Sequence, residues 1–226
     1  MTVGFRVGQR EGSIDASVID RARHIPVANV SDSMWRMAAG GHAIRPMGRA
    51  ARMAGPALVV RTAPGDNLMV HKAIDIALPG DIIVVDAGGD LTNAIIGEHM
   101  LGHALNKGVA GFVINGAVRD LAFIESASIP VFAAGITHRG PYKNGPGEVH
   151  YAIAIGGMVI ESGDLILGDE DGFLAVPARD VEEVLAKAEQ KSAAEHRKQA
   201  AIDAGSDDRT WIDTALRKAG CTFAEE

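Results

Sequence analysis

The chain has 226 residues, of which 47% are hydrophobic and only 4% aromatic, and its net charge is −7 at neutral pH. That is enough apolar material for one core built from Ala, Val, Ile and Leu, in one domain or one domain with a helical arm. The scarcity of aromatics argues against base stacking, and an acidic chain without a basic block argues against non-specific nucleic-acid binding, which needs concentrated positive charge.

The opening MTVGFRVGQREG carries charges and glycines where a signal peptide would carry an apolar stretch. Two helices are expected next. In SIDASVIDRARHIP, Ile14, Val18 and Ile19 supply an apolar face that stops at Pro26. In NVSDSMWRMAAGG, Asn29, Ser31 and Asp32 are cap candidates, followed by Met34, Trp35 and Met37 and then by Gly40-Gly41. From Met53 the character changes. PALVVRT and DIIVVDAGG are short β-branched runs bounded by Pro, Gly and Asp, which read as strands. NLMVHKAIDIALPG between them reads as a helix. Gly88–Gly97, GGDLTNAIIG, then links the strand end at Asp86 to a further helix. Its glycines could build an anion site from backbone N–H groups at a helix start. They could equally form an ordinary strand–helix turn.

GEHMLGHALNKGVAGFVINGAVRD, Gly97–Asp120, is the most informative stretch. Met100, Leu101, Ala104 and Leu105 form a stripe with a four-residue repeat, so a helix with one buried face is expected. Gly108 is placed as its C-cap. His99 and His103 lie four residues apart, a spacing that can bind a transition metal, but no third ligand is near in sequence. A strand over Val109–Asn115 and a turn, NGAV, lead to Arg119-Asp120. Ligands collect at the carboxyl ends of strands in open α/β sheets. Arg offers a planar fork that matches a carboxylate, and Asp is a hard oxygen ligand for Mg²⁺ or Mn²⁺. On the dipeptide alone, an ion pair at a turn is the commoner reading.

Downstream, IPVFAAG is a strand and VHYAIAIGGMVIESGDLILGDEDGFLAVP contains several more with tight turns. Its longest nearly apolar run, Tyr151–Ile160, is about half a membrane span and holds two glycines. A polar helix over about Ala178–Ala201 follows Pro177. Val181 and Ala188 share a heptad register that lands next on Glu195, with Val184 and Leu185 beside them. A carboxylate on that stripe marks where the helix leaves the body or reaches something else. A short helix in SDDRTWIDTALRKAG closes the chain. Cys221, the only cysteine, rules out a disulfide within the chain and a Cys-based zinc site. The seven lysines all fall on helices or loops, no Ser-centred nucleophile elbow is present, and covalent catalysis is therefore weakly supported beside metal-assisted chemistry. The β–α–β–α–β order predicts a layered α/β sandwich with a mixed, partly parallel sheet. The expected division is an α/β catalytic domain over residues 1–177 and a helical arm over 178–226. A soluble, cytoplasmic protein without membrane contact is expected.

These motifs resemble the RraA-like family, which includes class II 4-hydroxy-4-methyl-2-oxoglutarate/4-carboxy-4-hydroxy-2-oxoadipate aldolases. The family's aldolases carry an acidic residue, twenty residues, and then Arg-Asp. Here Glu98, in a position where Asp is usual, is followed by twenty residues and then Arg119-Asp120. ALPGDIIVVDAGGD, IPVFAAG and GGMVIESGDLILGDEDGFLAVP extend the resemblance over roughly Ile25–Arg197. It implies that Asp120 ligates a divalent cation (Mg or Mn) and that Glu98 orients metal-bound water. Arg119 would bind the keto-acid oxygens and stabilise an enolate. Gly97 and the backbone N–H groups around Met100 and Leu101 would hold the pyruvyl carboxylate. Glu195 is the candidate for a residue that reaches the metal from an adjacent subunit. The implied activity is retro-aldol cleavage of a 4-hydroxy-2-oxo acid to pyruvate, with oxaloacetate decarboxylation through the same enolate. The implied assembly is a homotrimer or homohexamer. Because the family also holds inhibitors of an RNA-degrading endonuclease, a protein-binding regulator is the alternative.

Overall fold

A computed structural model describes residues 4–37 and 40–223. In chain order the elements are β1 (Phe5–Val7), α1 (Ala16–Ala22), α2 (Val27–Ser33), β2 (Arg45–Pro46), β3 (Met53–Thr62), α3 (Leu68–Ile76), β4 (Ile82–Asp86), β5 (Ala94–Ile96), α4 (Glu98–Asn106), β6 (Gly111–Val118), α5 (Leu121–Ser126) and β7 (Val131–Ile136). There follow β8 (Gly147–Val149), β9 (Ile153–Ile155), β10 (Met158–Ile160), β11 (Leu165–Asp169), β12 (Gly172–Val176), a 3₁₀ turn (Ala178–Asp180), α6 (Val181–Asp203) and α7 (Trp211–Lys218).

The centre is a parallel run of β3, β4, β6 and β7 inside a mixed ten-stranded sheet. β3 is long enough to serve two partners. Met53–Pro56 pair antiparallel with β11, and Ala57–Arg61 pair parallel with β4. Side chains alternate across the sheet, as strand geometry requires. Leu58, Val60, Ile83, Val85, Phe112 and Ile114 face α3, α4 and α5, whereas Val59, Ile82, Val84, Val113 and Phe132 face the layer of β9–β12, α1, α2 and α6. Both faces are covered, which is why the central strands read as continuous apolar runs. The layered α/β sandwich with a mixed, partly parallel sheet is observed as expected.

Local expectations differ from the structure in three places. α2 starts directly after Pro26, so Asn29, Ser31 and Asp32 lie inside the helix rather than at its cap. The first-turn amide of Val27 is instead satisfied by the carboxylate of buried Asp169, at 2.8 Å. α2 also ends at Ser33, leaving Trp35 and Met37 strongly exposed. Ala38 and Ala39 lie outside the described residues. Second, NGAV is not a turn. β6 continues through it to Val118, with a register irregularity between Ile114 and Ala117, because β5 pairs with Ala117 and Val118. Third, Leu105 of the α4 stripe is exposed, while Met100, Leu101 and Ala104 are buried. Gly108 follows the last helical turn with a left-handed φ of +75°, a conformation that glycine adopts without a Cβ clash.

Candidate active site

Arg119 and Asp120 follow the carboxyl end of β6, as the strand-end rule anticipates. The Arg119 amide donates to the Ile96 carbonyl at 3.1 Å, which ties the residue to the end of β5. Asp120 takes a left-handed backbone, φ +60° and ψ +46°, immediately before α5. This turn swings its carboxylate under the start of α4, where Oδ2 accepts the Glu98 N–H at 2.9 Å. Arg119 Nε lies 3.6 Å from the same Oδ2, and both side chains stay partly open to solvent.

Gly97 makes this arrangement possible. A Cβ there would collide with Asp120 Oδ2 and lie 2.9 Å from Arg119 Cγ. The requirement is space, since the Gly97 backbone is extended. At the start of α4, Leu101 N–H is already bonded to the Gly97 carbonyl, and the Leu101 side chain is core. Leu101 therefore contributes packing, and the first-turn amides of His99 and Met100 are the ones left without an acceptor in the helix. An anion at this helix start meets those amides and the positive end of the dipole.

In the glycine-bearing link upstream most amides are already bonded. Asp86 takes the Gly88 amide, the Asn115 carbonyl takes that of Gly89, and Asp90 takes those of Thr92 and Asn93. These bonds shape the turn into β5, a three-residue strand too short to show a period in sequence.

A cavity of about 220 Å³ opens beside Arg119, lined among others by Asn67, His71, Gly97, His99, Met100 and Lys143. Its wall is a loop pinned by buried Asp66, whose Oδ2 accepts the amides of Asn144 and Gly145. The Asn93 side chain and the Ala94 amide hold the same loop at Gly140 and Arg139. Sequence reasoning did not single out Asn67 and His71. The available signal was their position, four residues apart at the start of α3, just past the carboxyl end of β3.

Thus Gly97, Glu98, Met100, Arg119 and Asp120 come together. Glu195 does not line this cavity. It lies on α6 against α2, with its carboxylate on Asn29 Nδ2 at 2.6 Å and Lys191 Nζ at 3.4 Å. His99 and His103 are both exposed. Among the described residues, no three His, Cys, Asp or Glu side chains form a metal cluster. Asp120, a hard oxygen donor whose Oδ1 accepts no hydrogen bond from the described residues, suits an Mg²⁺-like ion that keeps several waters and takes only one or two carboxylates. Among the described residues, no helix is long and apolar enough to cross a membrane.

A family model described as RraA-like, Aldolase/RraA, matches residues 27–175. The chain is 41% identical over 184 residues to a protein of Halalkalibacterium halodurans named "Putative 4-hydroxy-4-methyl-2-oxoglutarate aldolase", an alignment covering 81% of this chain and 88% of that one. Its structure is similar to that of an uncharacterized protein from Pseudomonas syringae pv. tomato, with a TM-score of 0.78 and 27% identity over 87% of this chain and 96% of that one. The RNA-processing inhibitor RraA from Thermus thermophilis has a TM-score of 0.62 and 32% identity over 67% of this chain and 92% of that one.

Proposed function

The chain belongs to the RraA-like family, and on that premise we propose that it is a divalent-metal-dependent aldolase that cleaves a 4-hydroxy-2-oxo acid to pyruvate and a second carbonyl compound. The observation that carries this reading is that Arg119 and the amide-bearing start of α4 line one cavity, with the Asp120 carboxylate bonded to the first amide of that helix. That set matches the two charges of a pyruvate enolate. The substrate carboxylate sits at the amides of His99 and Met100. Arg119 places its guanidinium against the C2 oxygen, where negative charge develops as the C3–C4 bond breaks, so its contribution is larger in the transition state than in the ground state. Asp120 holds the cation, and Glu98 orients water beside it. When bound, the cation supplies electrophilic stabilisation of that oxygen. Oxaloacetate decarboxylation shares the enolate and is expected as a second activity.

The exposed second half of α6 supports a further element of the proposal. Glu195 of one copy completes the site of a neighbour in a homotrimer or homohexamer, and residues 178–226 act as the arm that carries it there. The likeness to an RNA-processing inhibitor favours a ribonuclease regulator as the second reading.

A lactate dehydrogenase-coupled assay with 4-hydroxy-4-methyl-2-oxoglutarate and with oxaloacetate, in Mg²⁺ or Mn²⁺ and then in EDTA, tests the aldolase. Pyruvate release that EDTA abolishes is expected. No pyruvate from any keto acid, together with direct binding to a ribonuclease, would favour the regulator. Gly97→Ala offers a check on geometry. Its Cβ must displace the Asp120 carboxylate, and a displacement of about 1 Å costs on the order of 10²-fold in turnover. A variant that retains full kcat/KM would show that the Gly97–Asp120 contact does not matter.

A further inference from the structure

Among the described residues, only two buried side-chain polar atoms lack a hydrogen-bond partner, Asn67 Oδ1 and His71 Nε2. Both residues line the cavity beside Arg119. Buried polar atoms left unpaired are costly and rare, so two in one cavity mark a place where a ligand completes the bonding. Asn67 is 2% exposed. Its orientation is set by Nδ2, which donates to the Ile95 carbonyl at 2.9 Å and to Met100 Sδ at 3.1 Å. Oδ1 therefore has only lone pairs to offer. His71 stands one turn further along α3, on the same face.

The geometry points to a second subsite formed by Asn67 and His71, which receives the C4 hydroxyl of the aldol substrate and in which His71 Nε2 takes its proton. This rests on the aldolase reading. Retro-aldol cleavage needs a base at that hydroxyl. As the proton passes to His71 Nε2, the C4–O bond becomes a carbonyl. The C3–C4 bond breaks, and its electron pair forms the C2–C3 enolate held by Arg119. Of the two acceptors only the imidazole is basic, so Asn67 Oδ1 positions the hydroxyl. An imidazole accepts a proton only in its neutral form. Burial, the Lys143 ammonium and the positive charge His103 carries when protonated hold the His71 pKa below the ordinary histidine value, against the opposing charge of Asp75. Arg119 and His99 line the same cavity and add further donors.

The test separates cleavage from enolate formation. Pyruvate exchanges its methyl protons with deuterated solvent through the same enolate but has no C4 hydroxyl. In His71→Gln and His71→Ala, cleavage of 4-hydroxy-4-methyl-2-oxoglutarate should fall about 100-fold or more in kcat, while methyl exchange stays within about threefold of wild type. The wild-type cleavage profile should show an acid limb below pH of about 6.5, and the variants should lose it. Exchange at the wild-type rate also reports that a variant is folded. Parallel losses in cleavage and exchange, cleavage kept within about threefold, or a retained acid limb would each overturn the assignment. A wild-type protein that neither cleaves nor exchanges would instead overturn the aldolase reading itself.

Discussion

Asp120→Ala should lower kcat/KM for keto-acid cleavage by at least about 10³-fold, a loss of about 4 kcal/mol in transition-state stabilisation. The residual rate should be the same with Mg²⁺ and with EDTA. Two contributions disappear together in this variant. The carboxylate is the hard donor proposed to hold the cation, and its Oδ2 is also the acceptor for the Glu98 amide at the start of α4. Asp120→Asn separates them. The carboxamide oxygen can still accept that N–H, and Asn tolerates the left-handed backbone at φ +60° better than Ala. If the cation is what matters, Asp120→Asn should be folded and nearly as inactive as Asp120→Ala. Metal-stimulated turnover above about a tenth of wild type in either variant would refute the ligand assignment.

Arg119→Lys should reduce kcat by about 10²–10³-fold with a smaller change in KM, the pattern of an interaction made mainly in the transition state. The substitution keeps the charge and removes the planar fork, which is the property an enolate oxygen beside a carboxylate uses. Arg119 is partly exposed and its amide bond to Ile96 is backbone, so the variant should fold normally. Oxalate, a planar dianion resembling the enolate, should lose affinity by a larger factor than pyruvate when binding is measured calorimetrically. Equal losses for both ligands would show that Arg119 acts in ground-state binding alone.

Much of the frame is legible in the sequence. Runs such as DIIVVD and GFVIN are β-branched and buried on both faces, so composition alone marks them as strands. The α4 stripe is legible because a half-buried helix must repeat its apolar side chains every three to four residues. The differences have local causes. α2 lacks a side-chain cap of its own and borrows Asp169, a residue distant in sequence, so its polar residues point to the wrong start. β5 has three residues, too few to show alternation.

The candidate site divides in the same way. Arg119, Asp120 and Glu98 stand out because their spacing matches a family, since taken alone an Arg-Asp pair at a turn and a Glu in the first turn of a helix both have ordinary local uses. Asn67 and His71 have nothing of the kind, since an Asn before a helix and a His within it are ordinary. Their importance lies in atoms left unpaired once α3, β5 and α4 have packed, and only the assembled neighbours reveal which atoms those are. Glu195 is the reverse case. Its heptad register is readable from Val181 and Ala188, whereas its contacts with Asn29 and Lys191 depend on how α6 packs against α2.

The sequence by itself determined the α/β class, the order of the main elements, the family and the charged pair at the end of β6. Periodicity and residue chemistry are local quantities that survive without coordinates. Only the tertiary structure decided that Asp120 turns beneath the first amide of α4, that a Cβ at Gly97 would meet its carboxylate, and that two residues lining the cavity beside Arg119 carry buried, unpaired polar atoms. Those are contacts between segments distant in the chain, set by how the layers pack, and no local pattern encodes the distances between them.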